Sequence, residues 1–298
     1  MKILITGANG LLGQQLTKQL LEKRHNVIAT SKGPSRLPFL EQDGYTYQEL
    51  DITDGTKVNA VVTQSKPDLI IHAAAMTQVD ACEEHKVECW NVNVTATRFL
   101  VDAAREINAG FIFVSTDFVF DGLHGPYEEG AEPNPVNYYG SSKWGAEKAV
   151  MESGLNWSII RTVLVTGNSL SDTRQNIITW VKNKLEKGER IKMVDDQYRT
   201  PTFVEDLATG IVLIVEKKAQ GIYHLSGKDS FTPYQIAIET ARLLKLDESL
   251  IEKTDSSTLS QVAMRPPKTG FIINKAIKEL GFQPHSFSES LKKMFNLA

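Results

Sequence analysis

Cysteine is nearly absent: Cys82 and Cys89 are the only two in 298 residues. They cannot build a disulfide framework or a metal-type cluster, so the expectation is two reduced, partly buried thiols and no bound metal. No apolar run approaches the roughly 18 residues that a membrane-crossing helix needs. The amino end enters a strand pattern without the basic and then long apolar segments of a secretory leader. Charge of one sign is missing too: 33 basic against 36 acidic side chains leave a net charge of −3, which gives nucleic acid no basic field to bind. These absences argue against nucleic-acid and membrane partners and predict a cytoplasmic protein. Hydrophobic residues at 41% and charged residues at 23% suit a globular chain, long enough to bury a sizeable core.

The first half alternates short apolar runs with amphipathic stretches. Strands are predicted over Lys2–Thr6, Asn26–Thr30, Tyr45–Leu50, Asp68–Ala73, Gly110–Ser115 and Trp157–Arg161. Between them, helices are predicted over Leu11–Lys23, Val58–Ser65, Cys89–Asn108 and Tyr139–Ser153. That rhythm implies right-handed crossovers and a Rossmann-type α/β fold, a doubly wound parallel sheet. Beyond about Thr166 the rhythm loosens. Helices are predicted at Ile177–Lys187 and Pro233–Leu244, short strands at Lys192–Val194 and Gly221–Leu225, and a loop at Gln261–Gly270. The expected division is a dinucleotide-binding part, 1–166, that carries the catalytic residues, and an intertwined part, 167–298. The second part completes the sheet and forms a smaller C-terminal substrate-binding lobe.

Gly7, Asn9, Gly10, Leu11, Leu12 and Gly13 lie in the turn from the first strand into the first helix. Glycines at this place allow a tight turn and close backbone approach to a phosphate, and the helix N-terminus attracts the anion. NAD binders usually end the second strand with an acidic residue for the ribose 2′-hydroxyl. Ser31 and Lys32, followed by Arg36, stand there instead, which suits a 2′-phosphate and favours NADPH, with NADH possible. Asp51 and Ile52 are placed to meet the adenine. Ala73, Ala74 and Ala75 are small enough for the nucleotide to lie against backbone.

Tyr139 and Lys143 are four residues apart and share one helix face. A lysine ammonium there is expected to lower the phenol pKa and fit it for proton transfer. Thr116, at the carboxyl edge of the sheet, adds a hydroxyl for a carbonyl oxygen. Lys143 is also placed to reach the nicotinamide ribose, so Tyr139 and Lys143 serve both catalysis and cofactor binding.

With TGANGLLG at 6–13, VSTDFVFDG at 114–122 and PNPVNYYGSSKWGAEKAV at 133–150, the chain resembles the extended short-chain dehydrogenases/reductases. It is most similar there to the dTDP-4-dehydrorhamnose reductases. The resemblance covers nearly the whole chain. It implies Thr116, Tyr139 and Lys143 as the catalytic set and reduction of a 4-keto-6-deoxy sugar nucleotide. It also implies Thr77, Val79, Asp80 and Asn176 as substrate contacts, and a monomer or homodimer. Arg199 and Arg265 are expected to clamp the nucleotide pyrophosphate, since bidentate guanidinium contacts suit phosphate and other extended reductases and epimerases carry an arginine near Arg199. The chain departs from that pattern in several places. Val163 to Gly167 lack the aromatic pair found there, and Arg199 replaces a glycine. Gln14 and Gln15 replace the glutamates that link metal-bridged dimers. Phe118 stands where sugar-nucleotide dehydratases carry a glutamate, which argues against water elimination. Epimerases of the superfamily and the NADP-binding β subunit of methionine adenosyltransferase share enough of the pattern to remain open.

Overall fold

A computed structural model describes residues 1–39, 42–171, 175–258 and 261–297. Seven strands form the central sheet: β1 (Lys2–Thr6), β2 (Asn26–Ser31), β3 (Tyr45–Glu49), β4 (Leu69–His72), β5 (Gly110–Thr116), β6 (Trp157–Thr162) and β10 (Gly221–His224). Their order is β10-β6-β5-β4-β1-β2-β3, and every neighbouring pair is parallel. Strand β1 shows why. Its apolar run buries side chains on both faces, with Ile3 and Ile5 in one core and Leu4 in the other, as a strand covered on both sides must. Helix α1 (Leu11–Glu22) and helix α8 (Val204–Lys217) cover the first face through Leu16, Leu20, Leu207 and Ile211. Helices α2 (Gly55–Ser65), α5 (Ala96–Glu106) and α6 (Tyr138–Met151) cover the second through Val58, Val62, Leu100 and Val150.

The helix predicted over Cys89–Asn108 is interrupted. Short α3 (Val79–Glu84) precedes α4 (Lys86–Trp90), then a π-helical segment at Asn91–Thr95 leads into α5. Strand β4 stops at His72, so Ala73 belongs to the following loop.

The second half returns to the sheet before building its own layer. Strand β10 extends the sheet beside β6 and α8 packs along α1. The remaining elements are β7 (Val165–Thr166), α7 (Ile177–Glu186), β8 (Ile191–Val194), β9 (Thr202–Phe203), α9 (Pro233–Leu244), β11 (Ile251–Thr254) and α10 (Phe287–Met294). Strands β8 and β11 pair in parallel beneath α7 and α9, which share a small core of Val181, Leu185, Ala237 and Ala241. Capping boxes start α7 at Asn176, α9 at Thr232 and α10 at Ser286. Among the described residues no helix is long and apolar enough to cross a membrane.

Candidate active site

A groove of about 1210 Å³ runs along the carboxyl ends of β1, β2 and β4, with Gly7, Ser31, Asp51, Ala74 and Ala75 among its walls. This is where ligands bind in an open parallel sheet. Gly7 takes φ +72°, and a Cβ on it would lie 2.8 Å from the Ala74 backbone, so only glycine fits the turn. Gly10 is the N-cap of α1; Leu11, Leu12 and Gly13 form its first turn, whose backbone N–H groups can receive an anion. Asn9 binds the turn to the β2–β3 loop. Its amide donates to the Pro34 carbonyl at 3.0 Å and accepts Arg36 N–H at 2.9 Å, while its own backbone N–H donates to Ser31 Oγ at 3.0 Å.

Lys32 is exposed and forms an ion pair with Asp51 at 2.9 Å. That contact, with the Thr53 hydroxyl and N–H, holds the Asp51 carboxyl down at about 2. Arg36 is exposed beside the same rim, and Ile52 is buried. The groove thus has small residues at its floor and cations at one end, which fits a dinucleotide whose 2′-phosphate meets Lys32 and Arg36.

The candidate catalytic side chains lie on β5 and α6. The Asn137 side chain caps α6 by accepting Gly140 N–H at 2.8 Å, and that places Tyr139 and Lys143 one turn apart. Thr116 ends β5 on the side where Tyr139 is buried, and its hydroxyl partly offsets the effect of burial on the phenol. Lys143 donates from Nζ to the Val114 carbonyl at 2.8 Å and lies 4.0 Å from the Phe113 ring centre. Burial pulls its pKa down to about 7. The expected lowering of the phenol is corrected: burial pushes Tyr139 up, while the Lys143 ammonium donates to the Val114 carbonyl. Cys82 and Cys89 are free and fully buried beside Tyr139.

Sequence reasoning missed Asn93. It sits in the π-helical segment, and such insertions often mark functional sites. Its carbonyl oxygen accepts Met76 N–H at 2.8 Å, and its amide donates to Met76 O at 3.0 Å and to Ser142 Oγ at 2.9 Å. One side chain therefore fixes both the groove loop and the catalytic helix. A second chain of hydrogen bonds has only one consistent direction. Thr97 Oγ1 donates to the Asn93 carbonyl, so it must accept from His72 Nε2–H. His72 Nδ1 then accepts the Thr6 hydroxyl, whose oxygen accepts Ala74 N–H. Burial holds His72 neutral, its pKa down at about 3.

Residues 1–298 match the family model described as RmlD substrate binding domain. The chain belongs to that family. The probable low-salt glycan biosynthesis reductase Agl14 of Haloferax volcanii is 31% identical over 96% of this chain and 95% of its own length. The methionine adenosyltransferase 2 subunit beta of Bos taurus is 30% identical over 89% of this chain and 78% of its own length. Among solved structures, a dTDP-4-dehydrorhamnose reductase from Bacillus anthracis in complex with NADP superposes with a TM-score of 0.87. It is 28% identical, over 99% of this chain and 98% of that one. This RmlD-family chain is an NAD(P)-dependent oxidoreductase.

The RmlD-family substrate positions are more occupied by internal contacts than the sequence suggests. Arg265 forms a two-pronged ion pair with Asp80, at 2.5 and 2.7 Å, which ties the 261–270 loop to α3. Thr77 is exposed and Val79 half-buried at the entry to α3. The Asn176 side chain caps α7 through Ile178 and Thr179 N–H and donates to the Gly167 carbonyl at 2.7 Å. Arg199 is 5% exposed and lies 3.9 Å from the Asp117 carboxylate. Gln14, fully buried, donates to the Asn9 carbonyl and Ser171 Oγ, both at 2.9 Å, and accepts Leu170 and Ser171 N–H. Gln15 donates to the Asn168 carbonyl at 3.3 Å. These glutamines clasp the segment after β7 onto the glycine turn.

Proposed function

We propose that this chain reduces the 4-keto group of a nucleotide-activated 6-deoxy sugar, converting dTDP-4-dehydrorhamnose to dTDP-rhamnose with NADPH. The observation that carries this reading is the placing of Thr116 at the carboxyl end of β5 with Tyr139 and Lys143 buried on the adjoining helix α6. Gly7, Ser31, Lys32, Arg36 and the alanines at 73–75 would hold the cofactor. When bound, NADPH supplies hydride to the carbonyl carbon. Tyr139 keeps its proton because burial disfavours the phenolate, and it gives that proton to the carbonyl oxygen as charge develops there. Thr116 hydrogen-bonds the same oxygen. Lys143, one helical turn away and with its pKa drawn down to about 7 by burial, would steady the phenolate that remains. Phe118 in place of a second carboxylate supports reduction over dehydration.

The same reading puts the protein in the cytoplasm as a monomer or homodimer, supplying a deoxysugar for cell-surface polysaccharide. Residues 1–166 hold the cofactor and 167–298 complete the sheet and bind the sugar nucleotide. The likeness to the methionine adenosyltransferase 2 subunit beta supports a second reading, an NADP-binding regulatory subunit. Following NADPH absorbance with dTDP-4-dehydrorhamnose separates the two. Wild type is expected to turn over and Tyr139→Phe to lose about 10²–10⁴-fold in kcat. Tight NADPH binding with no reduction of any 4-keto sugar nucleotide rejects the reductase.

A further inference from the structure

Thr116 has one hydroxyl proton. The Asp117 carboxylate accepts it at 3.0 Å, and the Thr116 oxygen accepts Phe118 N–H at 3.3 Å. Asp117 is 4% exposed and gathers contacts from three segments. Its Oδ1 takes the Thr116 proton. Its Oδ2 accepts the hydroxyl of Thr269 from the 261–270 loop. Arg199 Nε stands 3.9 Å from that same Oδ2. The guanidinium lies 5.5 Å from the Phe118 ring centre, and the Phe118 and Tyr139 rings meet edge-on. Arg199 also donates to the carbonyls of Tyr198 at 2.8 Å and Pro267 at 3.4 Å. The other charges facing this cluster are Arg265 and Asp196, which act on Arg199 with opposite signs.

An ionised Asp117 holds the Thr116 proton in a charge-assisted hydrogen bond, and Thr116 can then only accept. A protonated Asp117 donates from Oδ1 to the Thr116 oxygen, which turns the Thr116 proton outward toward the substrate carbonyl. We propose that Asp117 is a positioning residue whose protonation directs the Thr116 hydroxyl, and that Arg199 is its counter-ion rather than a pyrophosphate ligand. This rests on the reductase reading above. One proton moves between solvent and Asp117, and no other bond changes. Burial favours the protonated form and Arg199 opposes it.

The test is the pH profile of kcat for wild type, Asp117→Asn and Arg199→Leu. The Asn amide reproduces the protonated carboxyl, with nitrogen toward Thr116 and oxygen toward Thr269. The alkaline fall in wild-type kcat that belongs to Asp117 is expected to vanish in Asp117→Asn. It should move up by about one pH unit or more in Arg199→Leu, as loss of a nearby opposite charge requires. An alkaline limb unchanged in Asp117→Asn, or a uniform loss at every pH, overturns the proposal. Infrared titration of the Asp117 carboxyl, as wild type minus Asp117→Asn, needs no turnover. Its midpoint should rise in both Arg199→Leu and Thr116→Val, and a midpoint that stays put in either also overturns it. Should wild type reduce no 4-keto sugar nucleotide, the reductase reading fails and the infrared midpoints alone decide the Asp117 contacts.

Discussion

Gly140 stands between Tyr139 and Lys143, and nothing larger fits. A Cβ there would lie 2.0 Å from the Phe118 carbonyl oxygen, because the start of α6 rests directly on the turn that follows β5. Gly140→Ala must push Tyr139 away from Thr116, and a displacement of about 1 Å costs on the order of 10² in rate. Steady-state kinetics should therefore show a lower kcat with NADPH affinity little changed; equal losses in both would mean the helix had shifted as a whole. At the rim, Lys32→Ala should weaken NADPH more than NADH, read by fluorescence titration of each. Equal weakening would remove Lys32 from the 2′-phosphate. Placements that depend on neighbours in sequence were legible in this way: Tyr139 and Lys143 on one helix and Thr116 at a strand end. Asn93 and the Asp117–Arg199 contact were not, since their partners lie on other segments and no local spacing records them.

The buried strands of the first half left short apolar runs and its amphipathic helices a 3.6-residue period, and apart from the 89–108 stretch both fall close to their predicted bounds. Helix α8 left no such trace. Nine of its fourteen residues are buried, including Val204, Leu207, Ile211 and Val215, so its apolar positions are not confined to one stripe. Strands β7 and β9 have two residues each, too few to show alternation. The π-helical segment was hidden for a different reason: one widened turn barely shifts a 3.6-residue pattern. Its importance lies in what Asn93 holds. Asn93→Ala removes the amide's hydrogen bonds to Met76 N–H and O and to Ser142 Oγ, which keeps its bond to the Tyr139 carbonyl. The loss should be on the order of 2–3 kcal/mol in denaturant unfolding, at about 1 kcal/mol per buried hydrogen bond. A change below about 0.5 kcal/mol would mean that water replaces the amide without penalty.

The whole molecule should lose stability in mild acid, and the sign follows from two histidines. His72 and His224 are buried with pKa values of about 3, while an unfolded histidine titrates near 6.5. Above about pH 6.5 both states are neutral and stability is complete. Below it the unfolded chain takes up protons that the folded chain refuses, so stability falls as pH drops toward 3. Between about pH 6.5 and 5 most carboxylates are still ionised, so a falling Tm in that window reports the histidines; a flat Tm would show that these rings charge in place.

The packing of α8 on α1 also bears on how the protein is made. Leu16 and Leu20 leave the ribosome early, yet Leu207 and Ile211, which cover them, come almost two hundred residues later. At about 5–20 residues per second the interval is roughly 10–40 s. For that time the nascent chain carries an uncovered apolar stripe beside its nucleotide turn, a ready target for holding chaperones.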